Sequence, residues 1–255
     1  MENASYEEIV GSSSARYLTQ LARQCGLATN YHAITHPSLP NYIAATSGND
    51  WGIGDDNPPA SHPLSRASIF GELAAAGMTW RAYEESMPSN CDRSSSGGYA
   101  VKHNPAAYYT GIRKQCAAWD VPMGSTASGP FLSDLRGDRL PSFSFVTPNL
   151  CDDMHDCQRA TGDAWSRRWI ARLLASPAYR SGTTVLVVTF DEGSGASNRV
   201  ATLVVSPTTP PGTRSSTRFN HYSLLKTTEQ LLGIQTHLAH AGDASTSSMR
   251  SAFHL

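Results

Sequence analysis

The octapeptide Thr35-His36-Pro37-Ser38-Leu39-Pro40-Asn41-Tyr42 places a hydroxyl between two prolines. Each proline fixes its own φ and pushes the residue before it out of the α region, so Ser38 is expected on a stiff, extended turn. Tyr42-Ile43-Ala44-Ala45 then reads as the first turns of a packed helix whose N-terminus faces back toward Ser38. Free N–H groups and partial positive charge at such an end suit a phosphate or another oxyanion. The octapeptide alone fits equally well an ordinary loop in which Ser38 or Asn41 is the N-cap.

Other polar groups stand at the ends of expected elements: Glu2-Asn3, Asp153-His155-Asp156, Asp191-Glu192 and His221. If these loops converge, Glu2, Asn3, Asp191 and Glu192 make a hard oxygen shell suited to a divalent cation such as Mg²⁺, Ca²⁺ or Mn²⁺, with zinc left open. Ser38 bound to that cation would have its hydroxyl pKa lowered and act as a nucleophile. The histidines would serve protons and phosphate oxygens. Taken singly, each group reads more simply as a cap or a solvated polar residue, and Glu84-Glu85 is read as solvated.

The elements that must carry these groups follow from periodicity. Residues 15–24 show a helical stripe through Tyr17, Leu18, Leu21 and Ala22, and residues 163–175 another through Trp165, Trp169, Ile170, Leu173 and Leu174. Residues 79–83 and 142–147 alternate as strands. Residues 183–190, apolar on both faces, read as a central strand of a covered sheet with Asp191-Glu192 at its C-terminal end, where open α/β sheets bind ligands. Residues 201–206 are a further strand, 224–232 a helix stopped by Gly233, and 49–66 a surface loop. Residues 88–141 are expected to pass over one end of the fold. The alternation predicts one α/β domain over 1–255, a three-layer sandwich around a mostly parallel sheet.

The net charge of the 255 residues is -1, which offers no polyanion-binding surface and excludes nucleic acid as an evident partner. No apolar run approaches the ~20 residues of a membrane span. Among the five cysteines, Cys151 and Cys157 flank an acidic loop at a spacing that favours a disulfide over a zinc site, and Cys91 with Cys116 makes a second candidate pair. Disulfides imply an oxidising, extracellular compartment, although no signal peptide precedes Met1.

In order along the chain, Glu2-Asn3, the Ser38 octapeptide with Thr46-Ser47-Gly48, His103-Asn104-Pro105, Pro148-Asn149 with Asp153-Met154-His155-Asp156, Phe190-Asp191-Glu192-Gly193 and His221-Tyr222-Ser223-Leu224-Leu225 form a joint pattern. That pattern resembles the bacterial phosphoesterase family of secreted acid phosphatases and phosphatidylcholine-type phospholipases C, a branch of the alkaline-phosphatase-like superfamily. The resemblance implies Ser38 as nucleophile and Glu2, Asn3, Asp191 and Glu192 as ligands of a cation shared with Ser38. It further implies Asn41 as a donor to the phosphoryl oxygen and His155 and His221 beside the phosphate, one protonating the leaving oxygen, with His36, His103 and Asp153 on the substrate side.

The expected activity is a metal-dependent phosphomonoesterase of the small acid phosphatase type, some of which act on phosphoinositides. The alternatives are a phospholipase C-type phosphodiesterase, with a phospholipid headgroup as substrate, and a disulfide-braced binding module with a structural cation. One departure stands out: the family's apolar strand before the Glu-Asn pair is missing, since only Met1 precedes Glu2. A ligand so near a terminus is expected to be poorly held.

Overall fold

The computed structural model describes all residues, Met1–Leu255. Strand Trp80–Glu84 lies between Asp120–Pro122 and Phe143–Thr147 in a three-stranded parallel sheet. A second sheet has four strands in the order Leu186–Val188, Thr202–Val205, Gly26–Ala28, Arg214–Ser215. Here Thr202–Val205 runs antiparallel to both neighbours, and Arg214–Ser215 is parallel to Gly26–Ala28. A short pair, Tyr31–His32 with Phe219–Asn220, completes the strands.

Alternation along Trp80–Glu84 shows why helices cover both faces. Trp80 and Ala82 join a core with Leu39, Ile43 and Phe70, whereas Tyr83 joins another with Phe131, Trp165 and Trp169. Successive side chains of a strand point to opposite faces, so one strand feeds two cores. Helix Ser38–Ser47 packs against His221–Leu231, and Arg16–Gln24 against Arg159–Leu174. Gly162 lets the last of these lie close to the loop before it; a Cβ there would stand 2.6 Å from the Asp152 carbonyl oxygen.

Phe143–Thr147 and Leu186–Val188 each pair on one side only. Between them is a cavity of about 730 Å³, lined by Phe143, Phe145, Trp169, Val187 and Leu224 among others, with Met1 at its wall. The stretch expected as a covered central strand is therefore shorter and barer: its regular part is Leu186–Val188, and residues 184–187 are only half-buried.

Glu2 closes one end of this gap. Its N–H donates to the Asp153 carbonyl at 2.8 Å, the Asp191 N–H donates to the Met1 carbonyl at 3.1 Å, and Glu2 is fully buried. The expectation that it would be poorly held is corrected by these bonds, which tie the segment to both sheets. The disulfides Cys91–Cys116 and Cys151–Cys157 are both formed, and Cys25 is free. No helix is long and apolar enough to cross a membrane.

Candidate active site

Ser38 opens its helix instead of preceding it. The helix Ser38–Ser47 has Pro37 at its N-cap and Pro40 inside the first turn, where no N–H partner is required, and it ends at Gly48 with φ 75°. Few backbone donors remain for an anion, because the Leu39 N–H donates to Asp56 Oδ1 at 2.9 Å and Pro40 has none. The side chain of Ser38 is buried and donates to two carboxylates, Glu2 Oε2 at 3.1 Å and Glu192 Oε1 at 3.3 Å. Two chain segments 190 positions apart thus meet at one hydroxyl.

Glu2 is the hub. Its other oxygen accepts the Tyr42 hydroxyl, four residues on from Ser38 and so on the same helix face. His103 Nε2 lies 3.1 Å from Glu2 Oε2, and His103 Nδ1 lies 3.3 Å from Asp153 Oδ2. Burial opposes the charge on His103, but the Glu2 and Asp153 carboxylates outweigh it and carry the ring pKa up to about 10. Burial likewise opposes the Glu2 charge, and His103 reverses the outcome, down to about 2. Asp191 has no such partner: burial, with Glu2 beside it, lifts its pKa well above the carboxylate range. Glu192 is also raised by burial, in spite of His36 against its Oε2.

Asn3 Oδ1 and Asp191 Oδ2 are buried here without a partner, and Asp153 Oδ2 and His103 Nε2 have only their ion-pair contacts, with His103 and Glu2 respectively. Leaving buried acceptors unpaired costs about 1–3 kcal/mol each, so a cluster of oxygens at this density fits a hard cation. Glu2, His103 and Asp153 have ligand atoms within 4.8 Å of one another.

A model of the phosphoesterase family matches residues 11–235. The chain belongs to this family. It is 31% identical over 239 residues to an acid phosphatase of Aspergillus fumigatus, covering 88% of this chain and 52% of that protein. It is 34% identical over 238 residues to a phosphatidylinositol-3-phosphatase of Mycobacterium tuberculosis, covering 91% and 75%. Phospholipase C A of the same species is 28% identical over 204 residues, covering 76% and 38%. The chain spans about half the length of the fungal acid phosphatases it matches. In fold it is similar to an alkaline phosphatase superfamily protein of Vibrio parahaemolyticus, with a TM-score of 0.60 at 13% identity over 95% of this chain and 68% of that one. That likeness is one of α/β fold.

Within this member of the phosphoesterase family, the residues singled out from sequence separate into those that meet Ser38 and those that lie elsewhere. Glu2, Glu192, Asp191, Asn3, His103, Asp153 and His36 form one connected cluster; Asn3 N–H donates to Asp191 Oδ1 at 3.2 Å. His155 stands at the rim, with Nδ1 2.6 Å from Asp156 Oδ1 and its ring centroid 6.0 Å from that of His103.

Two assignments change. Asn41 Oδ1 accepts the N–H groups of Ile34 and Thr35, while Nδ2 donates to the Thr35 and Pro37 carbonyls, so its amide braces the turn around Ser38. His221 is buried with Nδ1 3.0 Å from the Tyr31 hydroxyl and Nε2 2.6 Å from the Asp191 carbonyl, so both ring nitrogens are spent on protein. Burial drops its pKa to about 4, and the Nε2 contact ties the ring to the Asp191 backbone. Glu84, read as solvated, is buried beneath the cluster and accepts from Thr147 Oγ1 at 3.1 Å. Sequence reasoning missed Tyr42 and Arg159. Arg159 donates to the carbonyls of Met154 and Asn3, both at 2.9 Å, and so ties the two loops that carry site acids. Helical spacing from Ser38 could have found Tyr42; nothing local to Arg159 points to its partners.

Proposed function

We propose that this phosphoesterase hydrolyses phosphate monoesters, with Ser38 as nucleophile and a divalent cation held by Glu2, Asn3, Asp191 and Glu192 together with the Ser38 oxygen. The observation that carries the reading is the Ser38 hydroxyl 3.1 Å and 3.3 Å from carboxylates of opposite ends of the chain. The unpaired buried oxygens of Asn3 and Asp191 fit such a cation, with Mg²⁺, Ca²⁺ or Mn²⁺ favoured by an oxygen-rich set and His103 keeping zinc open. When bound, the cation supplies a lowered hydroxyl pKa and positive charge for the phosphoryl oxygens.

The rest is the work of side chains. Ser38 Oγ attacks phosphorus and its proton passes to Glu192, a better acceptor than Glu2, which the His103 charge holds ionised against its burial. His155, its Nδ1 held by Asp156, offers Nε2 to protonate the leaving oxygen. The same ring then takes a proton from water, which attacks the phosphoserine; the P–Oγ bond breaks, Glu192 gives its proton back to the Ser38 oxygen, and phosphate departs. Ser38→Ala is expected to abolish turnover of an aryl phosphate while the melting temperature stays near that of the parent; retained turnover refutes the role.

The likeness to phospholipase C A favours a second reading, a phosphodiesterase using the same centre. Comparing kcat/KM for an aryl phosphate and an aryl phosphocholine separates the two. A phosphoinositide is the substrate class suggested by the phosphatidylinositol-3-phosphatase relative. Two disulfides support an extracellular, oxidising setting.

A further inference from the structure

The cluster around Ser38 gathers the carboxylates of Glu2, Asp153, Asp191 and Glu192, and a phosphate monoester brings further negative charge to it. The nearby cation His103 is committed, enclosed between Glu2 and Asp153, and the His36 ring lies against Glu192. The start of the nucleophile's helix gives little help, since the Leu39 N–H is bonded to Asp56. One more cation reaches this place. Lys102, next to His103 on the 3₁₀ helix Val101–His103, donates from Nζ to Asp56 Oδ2 at 2.9 Å.

The other oxygen of the same carboxylate holds the Leu39 N–H, so the ammonium stands two hydrogen bonds from the residue that follows the nucleophile. The Lys102 side chain is 19% exposed, open enough to meet a ligand and covered enough to be weakly screened. Asp56 is its one hydrogen-bond partner, which leaves two of its three donors unspent.

We propose that Lys102 is a phosphoryl-binding residue, tethered by Asp56 and donating through its unspent N–H groups to a non-bridging oxygen of the substrate phosphate. The inference rests on the phosphomonoesterase reading above. Asp56 then has two roles, aiming the ammonium and stiffening the turn through Leu39. Its carboxylate brings the 49–66 loop to the edge of the site, and a compact ammonium on a four-carbon stem can follow the phosphoryl group as phosphorus inverts.

The test uses inorganic phosphate as a competitive inhibitor of aryl phosphate hydrolysis by the full chain with its cation. Lys102→Gln is expected to raise the phosphate inhibition constant about 10- to 100-fold, the range for a charged hydrogen bond, with KM rising in step, and Lys102→Arg to recover most of the loss. Asp56→Asn, which loosens the tether but keeps the ammonium, is expected to weaken phosphate by clearly less than Lys102→Gln does. A change below fivefold for Lys102→Gln overturns the proposal, as does an equal weakening by Lys102→Gln and Asp56→Asn, which marks a brace alone. If Lys102→Gln does not fold, Lys102→Met, which keeps the apolar stem and removes the charge, takes its place with the same fivefold threshold. A parent chain that does not hydrolyse aryl phosphates refutes the phosphomonoesterase reading instead, and calorimetric binding of phosphate to the parent and to Lys102→Gln still reads the Lys102 contact.

Discussion

The two sides of Ser38 are built differently. On one side Glu2 and Asp153 are wholly buried and Asp191 and His103 nearly so, each locked by backbone or ion-pair contacts. On the other, His36 and His155 are 52% and 29% exposed and each leans on one acid. A charge-holding shell needs fixed, dry oxygens, because reorganising them during reaction would cost what their preorganisation gains. A group that trades protons with a leaving oxygen and then with water needs a wet edge. The sorting of four acids and His103 inward, and of His36 and His155 outward, therefore matches a division between holding charge and moving protons.

The largest expected effect comes from the point where the two sides meet: Ser38→Ala should cost on the order of 10⁶-fold in kcat, as nucleophile removal does elsewhere. On the buried side, Glu2→Gln should lower kcat by roughly 100-fold or more and shift the cation requirement upward, read by titrating Mg²⁺ or Mn²⁺ into chelated protein. Chelation of the parent should remove activity while the melting temperature changes little; a collapse of the fold with activity independent of added cation would favour a structural ion. On the exposed side, His155→Ala should cost roughly 10²-fold, more for alkyl than aryl phosphates because a poor leaving oxygen needs its proton. His36→Ala should cost less than tenfold if its place is to pair Glu192.

The smallest effects concern stability. His221 is held neutral in the fold, with a pKa of about 4 against an ordinary 6.5. A depressed histidine contributes fully above the unfolded value and loses its contribution as pH falls toward the folded one. The stability gap between the parent and His221→Asn should therefore narrow by about 3 kcal/mol between pH 7.5 and pH 4, measured by urea melts. Opening Cys151–Cys157 with paired alanines should cost about 2 kcal/mol for so short a loop, and should loosen the segment that carries Asp153 and His155 enough to lower kcat severalfold.

How much of this was legible in sequence depended on how local the cause was. Strands 79–83 and 142–147 carried period-two patterns and appear as Trp80–Glu84 and Phe143–Thr147. The cysteine pairs and the convergence of Glu2, Ser38 and Glu192 were also legible. The helix start at Ser38 was misplaced because proline was read as a breaker, although a first turn tolerates it. Asn41 and His221 carried the right residue types, but their partners, Ile34 with Thr35 and Tyr31 with the Asp191 carbonyl, are set by how the turn and the sheet are assembled. Glu84 was misread because burial at a strand end depends on what the distant loops lay over it. The last residues, which carried no pattern, bring Phe253 against Gly26 and the Phe219 ring.

The divided sheet gives the active centre a mechanical character. Asp153 follows one raft of strands, Asp191 and Glu192 follow the other, and the short Met1–Glu2 bridge is bonded to both. Any ligand that grips acids from the two rafts at once also clasps the rafts, so its affinity and the alignment of the halves are a single linked equilibrium.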